Sequence, residues 1–207
     1  MRILFIGNSF TWVNDVPNLV RQIWEADGSH QSVQVERIDA GHLEDLAGNR
    51  GVFDKIKNGR WNAVVFEGAM VSMSLTRDYP QDTAISLANT ARKAGAKPYL
   101  FVEWPRRGID ETDYTLNVYW RIATPTKSRV IPVCRVWDRA LKMQPQLDLY
   151  SPDGNHASAL GSYLAACTIY RYISGRQIPA NPWVIPGLPK EQVSVILKAV
   201  RAQEIVS

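Results

Sequence analysis

The stretch Arg2-Ile3-Leu4-Phe5-Ile6-Gly7-Asn8-Ser9 constrains this chain more than any other. Ile3 to Ile6 are four consecutive apolar residues, which reads as a strand buried on both faces, the kind found in parallel sheets covered by helices. A turn-forming Gly-Asn-Ser follows at once, so Ser9 falls at the carboxyl end of that strand. In open α/β sheets ligands bind in the crevice outside those ends, and a hydroxyl presented there is a candidate nucleophile. Taken alone, Ser9 equally suits a turn or a helix N-cap.

The rest of the chain alternates helix and strand. Val16, Leu19, Val20, Ile23 and Trp24 recur at helical spacing in Val16 to Ala26, which Asp27-Gly28 closes. Val33 and Val35 alternate with Gln34 and Glu36 within Ser32 to Asp39, predicting a second strand nearer a sheet edge. Ala63 to Phe66 predicts a third strand, Pro80 to Ala94 a helix stopped by Gly95, and Pro98 to Val102 a fourth strand. Arg106 to Lys127 reads as a loop-rich insertion bounded by Gly108 and Pro125, with a helix from Tyr114 to Ala123 inside it. Arg129 to Cys134 predicts a fifth strand and Val136 to Met143 a helix. Leu160, Tyr163, Leu164, Cys167, Thr168 and Arg171 mark a further helix ending at Gly175. A proline-rich link from Ile178 to Pro189 leads to a last helix, Lys190 to about Gln203. The expectation is one domain over residues 1–207: a flavodoxin-like, three-layer α/β/α sandwich on a five-stranded parallel sheet of order 2-1-3-4-5.

A serine nucleophile needs a general base, and the base needs a carboxylate to fix its tautomer and steady the imidazolium. Tyr150-Ser151-Pro152-Asp153-Gly154-Asn155-His156 offers both, with Asp153 and His156 three residues apart in a tight turn. An isolated Asp-x-x-His is also an ordinary helix-entry turn in which the aspartate caps.

The two segments together resemble the SGNH/GDSL hydrolases, a family of serine esterases and lipases. Gly7-Asn8-Ser9 is similar to the family's first block, usually Gly-Asp-Ser, and Asp153-Gly154-Asn155-His156 to its last, Asp-x-x-His before a late helix. The order Ser, Asp, His fits, and no Gly-x-Ser-x-Gly elbow occurs in the chain. The resemblance implies Ser9, Asp153 and His156 as catalytic residues. It also implies an oxyanion hole built from the backbone N–H groups of Ser9 and of Gly41, the glycine after the second strand. On the residues alone Gly41 is equally a turn glycine. The third block, normally Gly-x-Asn-Asp, departs: Gly68 is followed by Ala69 and Met70, and no asparagine stands there. Losing one such donor costs on the order of 100- to 1000-fold in rate. The Gly68 N–H and the Asn8 side chain are the two candidate replacements. Glu67 is expected either as a buried, hydrogen-bonded carboxylate or as a substrate contact.

Composition excludes several other classes. The formal charge of +4 is spread along 207 residues, so no basic face points to nucleic acid. At 45% hydrophobic and 21% charged the chain is globular in composition, and no apolar run approaches the roughly 20 residues of a membrane span. No Cys/His cluster has zinc-like spacing, and no cofactor or metal is expected. Gly7-Asn8-Ser9-Phe10 also lacks the phosphate-cradling patterns of nucleotide binders. Cys134 and Cys167 read as small buried hydrophobes, with a disulfide between them left open. A cytoplasmic location and a removed secretory signal are both compatible with a chain that begins on its first strand.

For the substrate, Trp12 and Trp104 follow predicted strand ends and could stack on a sugar ring, although core packing accounts for most of the seven tryptophans. The expectation is a small-molecule ester, with small acyl groups on a carbohydrate as the favoured class. The alternative is a carbohydrate- or ligand-binding domain that keeps the fold without a competent oxyanion hole.

Overall fold

The computed structural model describes residues 1–205. β1 (Arg2–Gly7) pairs with β2 (Gln34–Asp39) on one side and β3 (Ala63–Phe66) on the other, and β4 (Lys97–Val102) and β5 (Arg129–Pro132) extend the sheet. All pairings are parallel and the order is β2-β1-β3-β4-β5. Ile6 lies opposite Ile38 and Phe66, so the carboxyl ends of the three strands finish together. The helices, in chain order, are α1 (Ser9–Trp12), α2 (Val16–Glu25), α3 (Arg50–Asn58), α4 (Asp82–Lys93), α5 (Thr112–Thr126), α6 (Val133–Met143), α7 (Ala159–Ser174) and α8 (Lys190–Arg201).

The period of two along β1 divides its side chains between two cores. Ile3 and Phe5 pack among residues of α2, α6, α7 and α8, whereas Leu4 and Ile6 pack among residues of α3, α4 and α5. All four are fully buried. At about 1.5–3 kcal/mol for each such side chain, β1 is a firm base from which to project the Gly7-Asn8-Ser9 turn. α7 is buried along its length from Leu160 to Ile173 and packs chiefly on α2, which follows that turn. This packing holds residues just after His156 against elements that begin just after Ser9. No described helix is long and apolar enough to cross a membrane.

The predicted elements shift at three places. β5 ends at Pro132, and α6 starts at Val133, so Cys134 is helical and buried rather than in a strand. α5 continues through Pro125 to Thr126. In its last turn Thr124 and Thr126 hydroxyls donate to the Trp120 and Ile122 carbonyls, which supplies bonds where the proline ring removes one. α3 was not anticipated; with Gly51 in its first turn and only Val52 and Ile56 buried, its apolar stripe is short. Cys134 and Cys167 are both free and buried.

Candidate active site

The turn after β1 is built around a buried carboxylate. Glu67, directly after β3, is 1% exposed, and its Oε2 accepts the Asn8 N–H and the Thr11 hydroxyl, each at 2.9 Å. A Cβ on Gly7 would fall 2.6 Å from that oxygen and 2.3 Å from Thr11 Oγ1, so only glycine lets the strand pass this close. Asn8 caps α1, its Oδ1 accepting the Phe10 N–H at 2.9 Å. Ser9 is thereby held at the first position of α1. Neither its N–H nor that of Gly41 donates to another described residue.

The late turn is fixed just as firmly. Asp153 Oδ1 accepts the N–H groups of Asn155 and His156, both at 2.9 Å, while Ser151 N–H donates to the His156 carbonyl at 2.8 Å. Trp104 Nε1–H donates to the Asn155 carbonyl at 2.9 Å. Asn14 Nδ2 reaches across to the Ala157 carbonyl and Ser162 Oγ, tying the early segment to the late one. Ser158 then caps α7 by accepting the Gly161 N–H.

These two turns meet. His156 Nδ1 lies 2.6 Å from Asp153 Oδ2, and Nε2 lies 2.8 Å from Ser9 Oγ. With Nδ1–H donated to the carboxylate, Nε2 is left as an acceptor for the serine proton. The bond from the His156 ring, and then those from the two backbone N–H groups, hold the Asp153 carboxyl down at about 2. Phe10 lies stacked beside the His156 ring, 5.5 Å between centroids at 28°, and meets Trp104 edge-on at 5.1 Å.

A cleft of about 210 Å³ lies against the residues that flank the serine, lined by Asn8, Phe10, His42, Ala69, Glu103 and Trp104 among others, with Ser9 and His156 outside its lining. A larger hollow of about 500 Å³ between the 184–188 segment and α8 contains none of the residues discussed above. Asn8, Gly41 and Gly68 converge: Gly68 has φ +91°, and a Cβ there would lie 3.0 Å from the Gly41 carbonyl and 3.1 Å from Asn8 Nδ2. Asn8 Nδ2 donates to no described residue, whereas the Gly68 N–H is engaged by Tyr119 Oη at 3.1 Å. Of the two candidate replacements for the third-block asparagine, the Asn8 amide is therefore the free one.

Three expected substrate contacts read differently in the structure. Glu67 is sealed beneath the turn, where burial and then the nearby Glu103 carboxylate push its carboxyl well above the usual range. Trp104 is 3% exposed, with its ring stacked on Trp137 at 4.6 Å, so it braces the Asp153–His156 turn. Trp12 is exposed and, like Ser9 and His156, is not part of the cleft lining. Glu103, Tyr119 and Phe10 were not singled out from sequence. Their adjacency to strand ends was the available signal for the first and last, whereas Tyr119 lies in the middle of α5.

No family model matches the chain, and no curated protein does. Solved structures do match. A DUF4886 family protein from Bacteroides uniformis superimposes with TM-score 0.76 at 16% identity, covering 97% of this chain and 93% of that one. A single-residue variant of an acetyl xylan esterase from Geobacillus stearothermophilus gives 0.67 at 16% identity, covering 86% and 97%. A protein provisionally described as an SGNH hydrolase from Slackia heliotrinireducens gives 0.64 at 24% identity, covering 83% and 97%. At these identities the likeness establishes the fold.

Proposed function

We propose that this chain, which has the fold of the SGNH/GDSL hydrolases, is a serine esterase working by two-step acyl transfer as one domain over residues 1–207. The observation that carries the reading is the hydrogen-bonded line from Asp153 through His156 to Ser9. His156 Nε2 takes the Ser9 proton as Oγ attacks the ester carbonyl, and the same nitrogen then protonates the departing alcohol. Water, deprotonated by His156, attacks the acyl-serine in the second step, and the acid leaves as His156 passes that proton to Ser9 Oγ. Asp153 holds the ring in one tautomer throughout. The N–H groups of Ser9 and Gly41 and the Asn8 amide receive the oxyanion.

The cleft flanking Ser9, at about 210 Å³, is smaller than the usual pocket for a drug-sized ligand and suits a small ester. The acetyl xylan esterase among the structural neighbours supports acetyl groups on a carbohydrate as the substrate class. A fluorophosphonate probe tests the nucleophile directly: labelling located on Ser9 supports the reading, and an unreactive protein overturns it. p-Nitrophenyl acetate should be hydrolysed faster than the octanoate.

The absent third-block asparagine favours a second reading, a binding domain without catalysis. That domain would bind acylated carbohydrate and leave both probe and ester intact.

A further inference from the structure

We infer that Glu103 recognises the alcohol half of the ester by accepting a hydrogen bond from a hydroxyl close to the ester oxygen; this rests on the esterase reading. Glu103 follows directly after β4 and lines the cleft together with Asn8, Trp104 and Asn155. Tyr119 fixes it. The tyrosine hydroxyl donates to Glu103 Oε2 at 2.5 Å and itself accepts the N–H groups of Gly68 and Ala69 at 3.1 and 3.2 Å. Glu103 is only half-buried and lines the cleft, and its Oε1 makes no hydrogen bond to another described residue. It is therefore open to the cleft.

The other charged groups there are committed to each other. Arg106 donates through Nε and Nη2 to Glu111, with the Nη2–Oε2 contact at 2.6 Å, so the arginine of the cleft is already paired. Trp104 and Asn155 adjoin His156 through the Trp104 Nε1–Asn155 carbonyl bond. His156 is the group that protonates the departing oxygen, so this end of the cleft receives the alcohol. Burial raises the Glu103 carboxyl to about 7. It can thus pair with a hydroxyl in either protonation state, whereas a cation would need the ionised form. The titratable and charged groups around it are Glu67 after β3, Tyr119 on α5, Cys134 on α6, His42 across the cleft, and the Arg106–Glu111 pair.

Ethyl acetate, 2-hydroxyethyl acetate and acetylcholine share one acyl group and differ only in the alcohol, so they test this inference. The protein should prefer 2-hydroxyethyl acetate over ethyl acetate by about tenfold or more in kcat/KM, mainly through KM. Groups that act on the shared acyl half affect both esters alike and cancel in their ratio, so a ratio that rises with pH through about 7 reports Glu103. Glu103→Ala should bring the ratio to about one. Glu103→Gln should keep part of the preference but lose its pH dependence, which decides the matter even if the alanine variant fails to fold. A wild-type ratio near one, a preference that survives Glu103→Ala, or a preference for acetylcholine would overturn the inference. Ser9-dependent hydrolysis without a hydroxyl preference would sink this inference alone, whereas no hydrolysis of any ester would sink the esterase reading with it.

Discussion

Ser9 Oγ and His156 Nε2 stand 2.8 Å apart although 147 residues separate them in sequence. The contact is made by two turns that are each fixed by their own hydrogen bonds, one to Glu67 and one to Asp153. Ser9→Ala removes one hydroxyl from a partly exposed position and leaves those bonds in place. Turnover of p-nitrophenyl acetate should fall by about 10⁴-fold or more, with the melting temperature shifted by no more than about 2 °C. Steady-state kinetics and calorimetry on the same preparation check both halves.

Asp153→Asn should lower kcat on the order of 10³- to 10⁴-fold, because an amide no longer fixes the Nδ1–H tautomer or steadies the imidazolium. The hydrogen bond from His156 is the main reason the carboxyl is held near 2. Since this value is depressed, its stabilising contribution is present above the ordinary carboxylate range and disappears as pH falls through about 2. A kcat/KM profile between pH 4 and 9 should therefore show no step from Asp153, and a step removed by Asp153→Asn would contradict the assignment.

Asn8→Asp separates capping from oxyanion binding. The aspartate still accepts the Phe10 N–H, as Asn8 Oδ1 does, but it can no longer donate toward the cleft. In a chain that has no third-block asparagine the expected loss is about 100- to 1000-fold in kcat with KM little changed. Undiminished kcat would remove Asn8 from the oxyanion hole.

The paired carboxyls Glu67 and Glu103 predict a stability that falls with rising pH. Burial raises both, Glu103 to about 7 from an unfolded value near 4.5. A raised carboxyl contributes its full stability below the unfolded value and loses it as pH rises through the folded one. For Glu103 this amounts to on the order of 3 kcal/mol across about pH 4.5 to 7. Urea unfolding of wild type and Glu103→Gln at pH 5 and pH 8 should show the variant gaining relative stability at the higher pH. Equal pH dependence in the two proteins would contradict the buried-acid description.

The strands and the two site turns were legible in the sequence because each depends on a local pattern, whereas the meeting of Ser9 with Asp153 and His156 was only what the family resemblance implied. A continuous apolar run gives β1, and Asp-x-x-His before a helix gives the late turn. What was not legible depends on side chains brought together from several elements. Tyr119 reads as one more apolar residue of α5 until its hydroxyl is seen holding Glu103 and the Gly68–Ala69 backbone. Trp104 follows a strand end and so reads as a stacking surface, but Trp137 already covers its face. On sequence Glu67 fits burial and substrate contact equally, and only the closeness of Gly7 and Thr11 decides for burial.

Phe10 follows the nucleophile in sequence and lies stacked beside the ring of the base, with Trp104 at its edge. The serine turn thus carries a strut for its own proton acceptor. The residue that follows the nucleophile therefore also helps to set where the base stands, so hydroxyl and imidazole share one support.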